Sequence, residues 1–187
     1  MSAGRSFIDL KNIFYLLDVT KWLNTTLKNK LENVAGRLCE VLIPIKHEYY
    51  IGEGKSVAIC TLSSMALLQA IAKTDDIMSR ILIVGRLLSE NKGLDTLVRF
   101  TLKQSELLYL VVCGKDVRGH QSGQALLSLH RNGVTRDGKI IGANGPHPFL
   151  TCLQEDIESF RKQIMIYDLI GCEDLETVKA TLSSFGH

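Results

Sequence analysis

Beyond Pro44 the chain alternates short β-rich runs with amphipathic helical ones, and no other property of the sequence limits its fold as much. Residues 56–62, 80–85, 106–113 and 165–170 are apolar runs of strand length, rich in branched and aromatic side chains. Between and after them, 64–73, 93–104, 122–132, 153–163 and 174–183 carry helical patterning. Strands that alternate with helices predict a parallel sheet covered on both faces, a three-layer α/β domain.

The segment before Pro44 is different. Phe7, Leu10, Phe14 and Leu17, and then Leu27, Leu31, Val34, Leu38 and Leu42, recur at intervals of three and four, which predicts two amphipathic helices within 6–43. Asn24 is placed to cap the second and Pro44 to end it. The expected organisation is therefore an N-terminal helical extension, 1–46, followed by the main domain, 47–187. The apolar faces of the extension have two readings: they dock on the main domain, or they form a partner or homo-oligomer surface.

Charge names no partner. Twenty-two Lys and Arg against 20 Asp and Glu leave a formal +2, and the charges are scattered, so no nucleic-acid partner is expected. The five cysteines are odd in number, lack CxxC spacing and sit mostly in apolar runs, which reads as reduced thiols in a cytoplasmic protein. The N-terminus is not a signal-peptide core, because Asp9, Lys11 and Asp18 interrupt it, and no apolar run reaches the ~20 residues needed to span a bilayer. No direct membrane insertion is expected.

The chemistry concentrates where the third predicted strand ends. Val111-Val112-Cys113-Gly114-Lys115-Asp116-Val117-Arg118-Gly119-His120-Gln121-Ser122-Gly123-Gln124 runs from an apolar strand through a glycine-spaced loop into a helix. Loops at that edge of an open α/β sheet are where ligands bind, because loop amides and the next helix N-terminus converge there. Gly119 and Gly123 flank His120 and let backbone approach a bulky ligand. His120 has two readings on spacing alone: a ligand or acid/base group, or a cap for the helix that begins near Ser122. Asp116 is the nearest acid; it either tunes the far ring nitrogen of His120 or is a solvated turn residue. Cys113, at the strand end, reads as a small core residue. His130 reads as a surface residue, and His147, between Pro146 and Pro148, could line a pocket. The longest irregular segment, 133–151, is rich in glycine and proline and could fold back over the same edge. The chain has no G-x-S-x-G elbow, no Walker lysine loop, no zinc spacing and no complete dinucleotide fingerprint, so hydrolase, kinase and dehydrogenase readings have little support.

A series of segments now becomes specific. Tyr49 to Gly52 and Val57-Ala58-Ile59-Cys60-Thr61-Leu62 come first, then Ser89-Glu90-Asn91-Lys92-Gly93 and Cys113 through Gln124. Asn132-Gly133, Ile140-Ile141-Gly142-Ala143-Asn144-Gly145, Pro148-Phe149-Leu150 and Tyr167-Asp168-Leu169-Ile170-Gly171-Cys172-Glu173-Asp174 follow. In this order and spacing, from about residue 48 to 178, the chain resembles the corrinoid-carrying A subunit of tetrahydromethanopterin S-methyltransferase. The resemblance implies a Rossmann-like domain, with an open, mainly parallel sheet, that binds cobalamin or another cobamide at the carboxyl edge. It implies that His120 is the lower axial ligand of the corrinoid cobalt, with Asp116 behind it. It further implies that Gly114, Gly119, Ser122 and Gly123 shape the loop and that Thr61, Glu90, Asn91, Gly142, Ala143, Asn144 and Gly145 form the neighbouring edge. Lys115 and Arg118 make the loop more basic, which would suit the phosphate of a cofactor tail.

In that family the cobalt receives its methyl group through a separate catalytic partner, then passes it to a thiol. The resemblance thus implies a methyl carrier, a methyltransferase component rather than a self-sufficient enzyme, whose partners are the methyltransferase subunits that deliver and accept the methyl. The family's membrane-complex member ends in a membrane-spanning helix and this chain stops at His187 without one, so a soluble carrier is expected. Two other readings stand beside it: a relative without cofactor that serves as an interaction or regulatory module, and a nucleotide-binding domain that uses the same edge.

Overall fold

The computed structural model describes residues 49–185. The helices expected within 6–43, the boundary expected at 46, Cys39, His47 and His187 lie outside the described residues.

The described residues form a mixed five-stranded sheet with six helices. The strands are β1 (Tyr49–Ile51), β2 (Val57–Cys60), β3 (Ile83–Gly85), β4 (Tyr109–Gly114) and β5 (Met165–Ile170). The helices are α1 (Met65–Ala72), α2 (Asp75–Met78), α3 (Lys92–Leu102), α4 (Ser122–Asn132), α5 (Gln154–Gln163) and α6 (Leu175–Ser183). The strand order is β1-β3-β2-β4-β5. β1 is antiparallel to β3, and every other neighbour is parallel.

The order follows from burial. Every residue of β2 is buried, as is β4 from Leu110 to Gly114, and strands apolar on both faces belong at the centre of a parallel sheet. β5 is half exposed and β1 fully exposed, as edge strands are. The period of two divides the centre between two cores. Ala58, Cys60, Leu110 and Val112 join Leu94 and Val98 of α3, Leu126 and Leu129 of α4, and Ile157 and Phe160 of α5. Val57, Ile59, Val111 and Cys113 join Leu67, Leu68 and Ile71 of α1, Ile77 of α2, and Val178 and Leu182 of α6.

Two elements have no counterpart in the sequence reading. β1 and α2 hold three and four residues, too few for any periodicity to register. The α2 turn also explains why β3 starts late within 80–85. Arg80 and Ile81 are still tied back to the Ile77 carbonyl, at 3.0 and 3.2 Å, so the chain extends only from Leu82, whose N–H donates to the Val57 carbonyl at 2.7 Å.

The topology positions the site. From β2 the chain crosses to β3 on one side, then returns past β2 to β4 and β5 on the other. Where successive connections leave a sheet in opposite directions, a crevice opens at the carboxyl ends of the strands. The connections after β2, β3, β4 and β5 all leave from that edge.

Candidate functional site

β4 ends at Gly114 with φ +81°, and a Cβ there would stand 2.4 Å from the Thr61 carbonyl oxygen. Only glycine lets the chain turn so close to the β2 connection. The chain then makes a turn closed by the His120 and Gln121 N–H groups on the Val117 carbonyl, at 3.1 and 2.7 Å, and α4 begins at Ser122.

The first turn of α4 needs acceptors for its free amides, and Asp116 supplies them. Its carboxylate accepts from Gly123 N at 3.1 Å and Gln124 N at 2.8 Å, the second and third residues of the helix. The cap is therefore Asp116, reached from six residues before the helix, and not His120. It also corrects the expectation that Asp116 stands behind the imidazole.

That place is taken by Glu90. His120 Nδ1 lies 2.8 Å from Glu90 Oε2, and the two side chains contrast sharply, at 55% exposed for His120 and 1% for Glu90. The other carboxylate oxygen of Glu90 accepts from the backbone N–H of His147 at 3.1 Å. A buried carboxylate thus holds an exposed imidazole through one ring nitrogen. The tautomer that satisfies Glu90 carries its proton on Nδ1 and leaves the lone pair on Nε2.

The long segment 133–151 does return to this edge. A Cβ on Gly145 would lie 2.6 Å from the His120 carbonyl oxygen and 2.9 Å from Glu90 Cγ, so backbone presses directly on both residues. Gln124 of α4 pins the segment, donating to the Gly142 carbonyl at 2.8 Å and accepting from Asn144 N at 2.9 Å. Ser128 adds a bond to the same carbonyl at 3.1 Å, and Ala143 packs against the core. Further along, Asp95 of α3 accepts from Thr151 N, Thr151 Oγ1 and Cys152 N, at 2.7 to 3.0 Å.

The remaining residues expected at the site brace the edge. The Thr61 N–H donates to the Gly85 carbonyl at 2.9 Å, with its hydroxyl 3.4 Å from the same oxygen. The buried Ser122 hydroxyl donates to the Leu87 carbonyl at 2.8 Å, and Asn91 caps α3 by accepting from Lys92 N at 2.6 Å. Gly123 sits against Leu62, Ile170 and Asp116, whereas nothing lies within 4 Å of the Cβ position of Gly119. Lys115 is paired: its ammonium lies 2.8 Å from Glu173, whose other oxygen accepts from Ser64 Oγ at 2.7 Å. The Lys115 ammonium, and secondarily the Ser64 hydroxyl, hold the Glu173 carboxyl below its usual range.

The thiols at the ends of β2 and β4 are buried. Burial pushes Cys60 up to about 12 and raises Cys113 as well, so neither is a ready thiolate. Cys113 is the core residue expected. His130 is not the surface residue expected: its Nε2 lies 2.7 Å from the Ile164 carbonyl oxygen and its ring stands edge-on to Phe160. The sequence reading missed the bracing roles of Gln124 and Asp95. Both make contacts to a segment distant in the chain, for which one sequence carries no signal.

Comparison with known proteins gives the setting for this geometry. The family model that describes the A subunit of tetrahydromethanopterin S-methyltransferase matches residues 40–186. The A subunit of this enzyme from Methanocaldococcus jannaschii is 36% identical over 146 residues, covering 74% of this chain and 58% of the relative. The A 2 subunit from Methanothermobacter thermautotrophicus is 35% identical over 138 residues, covering 72% of each chain. The A subunit of the putative methyltransferase Mtx from Methanosarcina barkeri is 29% identical over 144 residues, covering 76% of this chain and 68% of the relative. Among the described residues, no helix is long and apolar enough to cross a membrane. The chain belongs to the family of tetrahydromethanopterin S-methyltransferase A subunits.

Proposed function

We propose that this chain is a corrinoid-binding methyl carrier that exchanges a methyl group with partner methyltransferase subunits, on a three-layer, Rossmann-like scaffold. The observation that carries the reading is the His120 imidazole, exposed at the carboxyl edge and gripped through Nδ1 by the buried Glu90 carboxylate. A ligating histidine is oriented through its other nitrogen in this way, which fixes the tautomer and strengthens the donor.

The residues present fit a corrinoid. Among the described residues no group of three or more His, Cys, Asp or Glu is placed to hold a metal ion. One imidazole is a poor cage for a free ion, but His120 would suffice as the protein's ligand to a metal whose other ligands arrive in a macrocycle. Space beside His120 is open at Gly119. Arg86, which follows β3 at the same edge, donates to the Ser63 carbonyl at 3.3 Å, and its buried Nε has no hydrogen-bond partner. It offers a cation for the phosphate of a cofactor tail, a part that Lys115, tied to Glu173, fills less well.

When bound, the corrinoid supplies a cobalt centre that accepts and releases a methyl group. The chain's own residues do the rest. His120 presents Nε2; Glu90 keeps the proton on Nδ1; Asp116 fixes the start of α4; and the segment 142–147, pinned by Gln124 and Glu90, walls the edge. The relatives named S-methyltransferase suggest sulfur as the destination of the methyl.

Titration of the full chain with hydroxocobalamin tests the reading. The wild type is expected to change the visible spectrum of the corrinoid on binding, and His120→Ala to remove that change. An unaltered spectrum with wild-type protein contradicts the proposal.

A further inference from the structure

The glycines around His120 are not equivalent. Gly114 has φ +81° and would clash with the Thr61 carbonyl oxygen if it carried a Cβ, Gly123 is packed against Leu62 and Ile170, and Gly145 presses on the His120 carbonyl. Each has a reason in the fold. Gly119 has none: its φ is outside the left-handed region, and nothing lies within 4 Å of its Cβ position. The turn that contains it is closed by N–H groups of His120 and Gln121 on the Val117 carbonyl, so an ordinary L residue satisfies the same bonds.

A glycine in a conformation open to other residues costs stability, because it enlarges the conformational freedom of the unfolded chain. Gly119 carries that cost with no return in the folded structure, immediately before the imidazole. Val117, which opens the same turn, is 44% exposed. We infer that Gly119 is a clearance position: the missing side chain lets a broad, flat ligand lie against the backbone beside His120, and so admits a macrocycle that a side chain at this position would obstruct. The inference rests on the corrinoid reading and adds to it the surface on which the ring lies.

The test uses Gly119→Ala and Gly119→Leu in the full chain, with Gly114→Ala as the contrast, read by thermal unfolding and by hydroxocobalamin titration. Gly119→Ala is expected to melt at or above the wild-type temperature and Gly119→Leu close to it, while Gly114→Ala melts well below. Affinity for hydroxocobalamin is expected to fall stepwise from wild type to Ala to Leu, at least tenfold overall. A Leu variant that binds as tightly as wild type overturns the clearance role while leaving the corrinoid reading intact. A Leu variant that melts as low as Gly114→Ala shows that the fold itself requires the glycine, and overturns it too. Wild-type protein that does not bind hydroxocobalamin overturns both.

Discussion

Two buried carboxylates, Glu90 and Asp95, flank the start of α3 and grip the same long segment, yet they use their oxygens differently. Asp95 is saturated locally: it accepts from Thr151 N, Thr151 Oγ1 and Cys152 N, so both oxygens serve the end of the segment. Glu90 gives one oxygen to His147 N and the other to an imidazole that is more than half exposed. Five residues apart and buried alike, one carboxylate is architectural and the other links the architecture to a surface donor. Burial of a charge alone therefore does not mark function; the identity of the last acceptor site's partner does.

The comparison breaks first at Asp95. Asp95→Ala would leave Thr151 N, Thr151 Oγ1 and Cys152 N without their acceptor in a partly buried setting, and a loss of about 3 to 5 kcal/mol in a urea unfolding experiment is expected. A loss below ~1 kcal/mol would mean that solvent replaces the carboxylate freely.

Glu90→Gln should behave oppositely. The amide retains shape and an oxygen for His147 N, so stability should fall by only about 1 kcal/mol. Orientation of His120 should suffer more, with hydroxocobalamin affinity expected to drop about 10- to 100-fold. Equal binding by the Gln variant would reduce Glu90 to a second Asp95.

Asp116→Ala sharpens the contrast from a third position. Losing the α4 cap should cost about 1 kcal/mol. Since the His120–Glu90 contact does not pass through Asp116, the titration end-point spectrum should stay that of the wild type. The smallest effect is expected at Glu173. Its carboxyl is depressed in the folded chain by Lys115, so its contribution is present above the unfolded carboxylate range and is lost as pH falls through the lower folded value. The pair is exposed, so Glu173→Gln should slightly flatten the acid limb of stability against pH, and added salt should erase even that difference.

The long patterned elements were legible because burial imposes their periods. α4 and β5 occupy the spans expected from sequence, and β2 and β4 read as unbroken apolar runs because both of their faces are covered. β1 and α2 were not legible, since three or four residues hold no period and their conformations follow from what they pack beside. At the site, the return of 133–151 was legible from its length and its glycines and prolines. The role of Asp116 was misjudged by proximity: the amides of Gly123 and Gln124 compete for the same carboxylate, and a helix start without a side-chain cap of its own claims it. The pairing of Glu90 with His120 spans 30 residues and depends on how two connections meet above the sheet, which no local pattern encodes.

The central claim is that His120, oriented by Glu90, is the axial donor to cobalt. The most direct measurement is the electron paramagnetic resonance spectrum of cobalt(II) cobalamin bound to protein grown with 15N-labelled histidine. Axial ligation by His120 predicts that the hyperfine pattern from the ligating nitrogen changes from the triplet of 14N to the doublet of 15N, and that His120→Ala abolishes the doublet. A triplet that persists in the labelled wild type, showing the cofactor's own base on cobalt, would contradict the account.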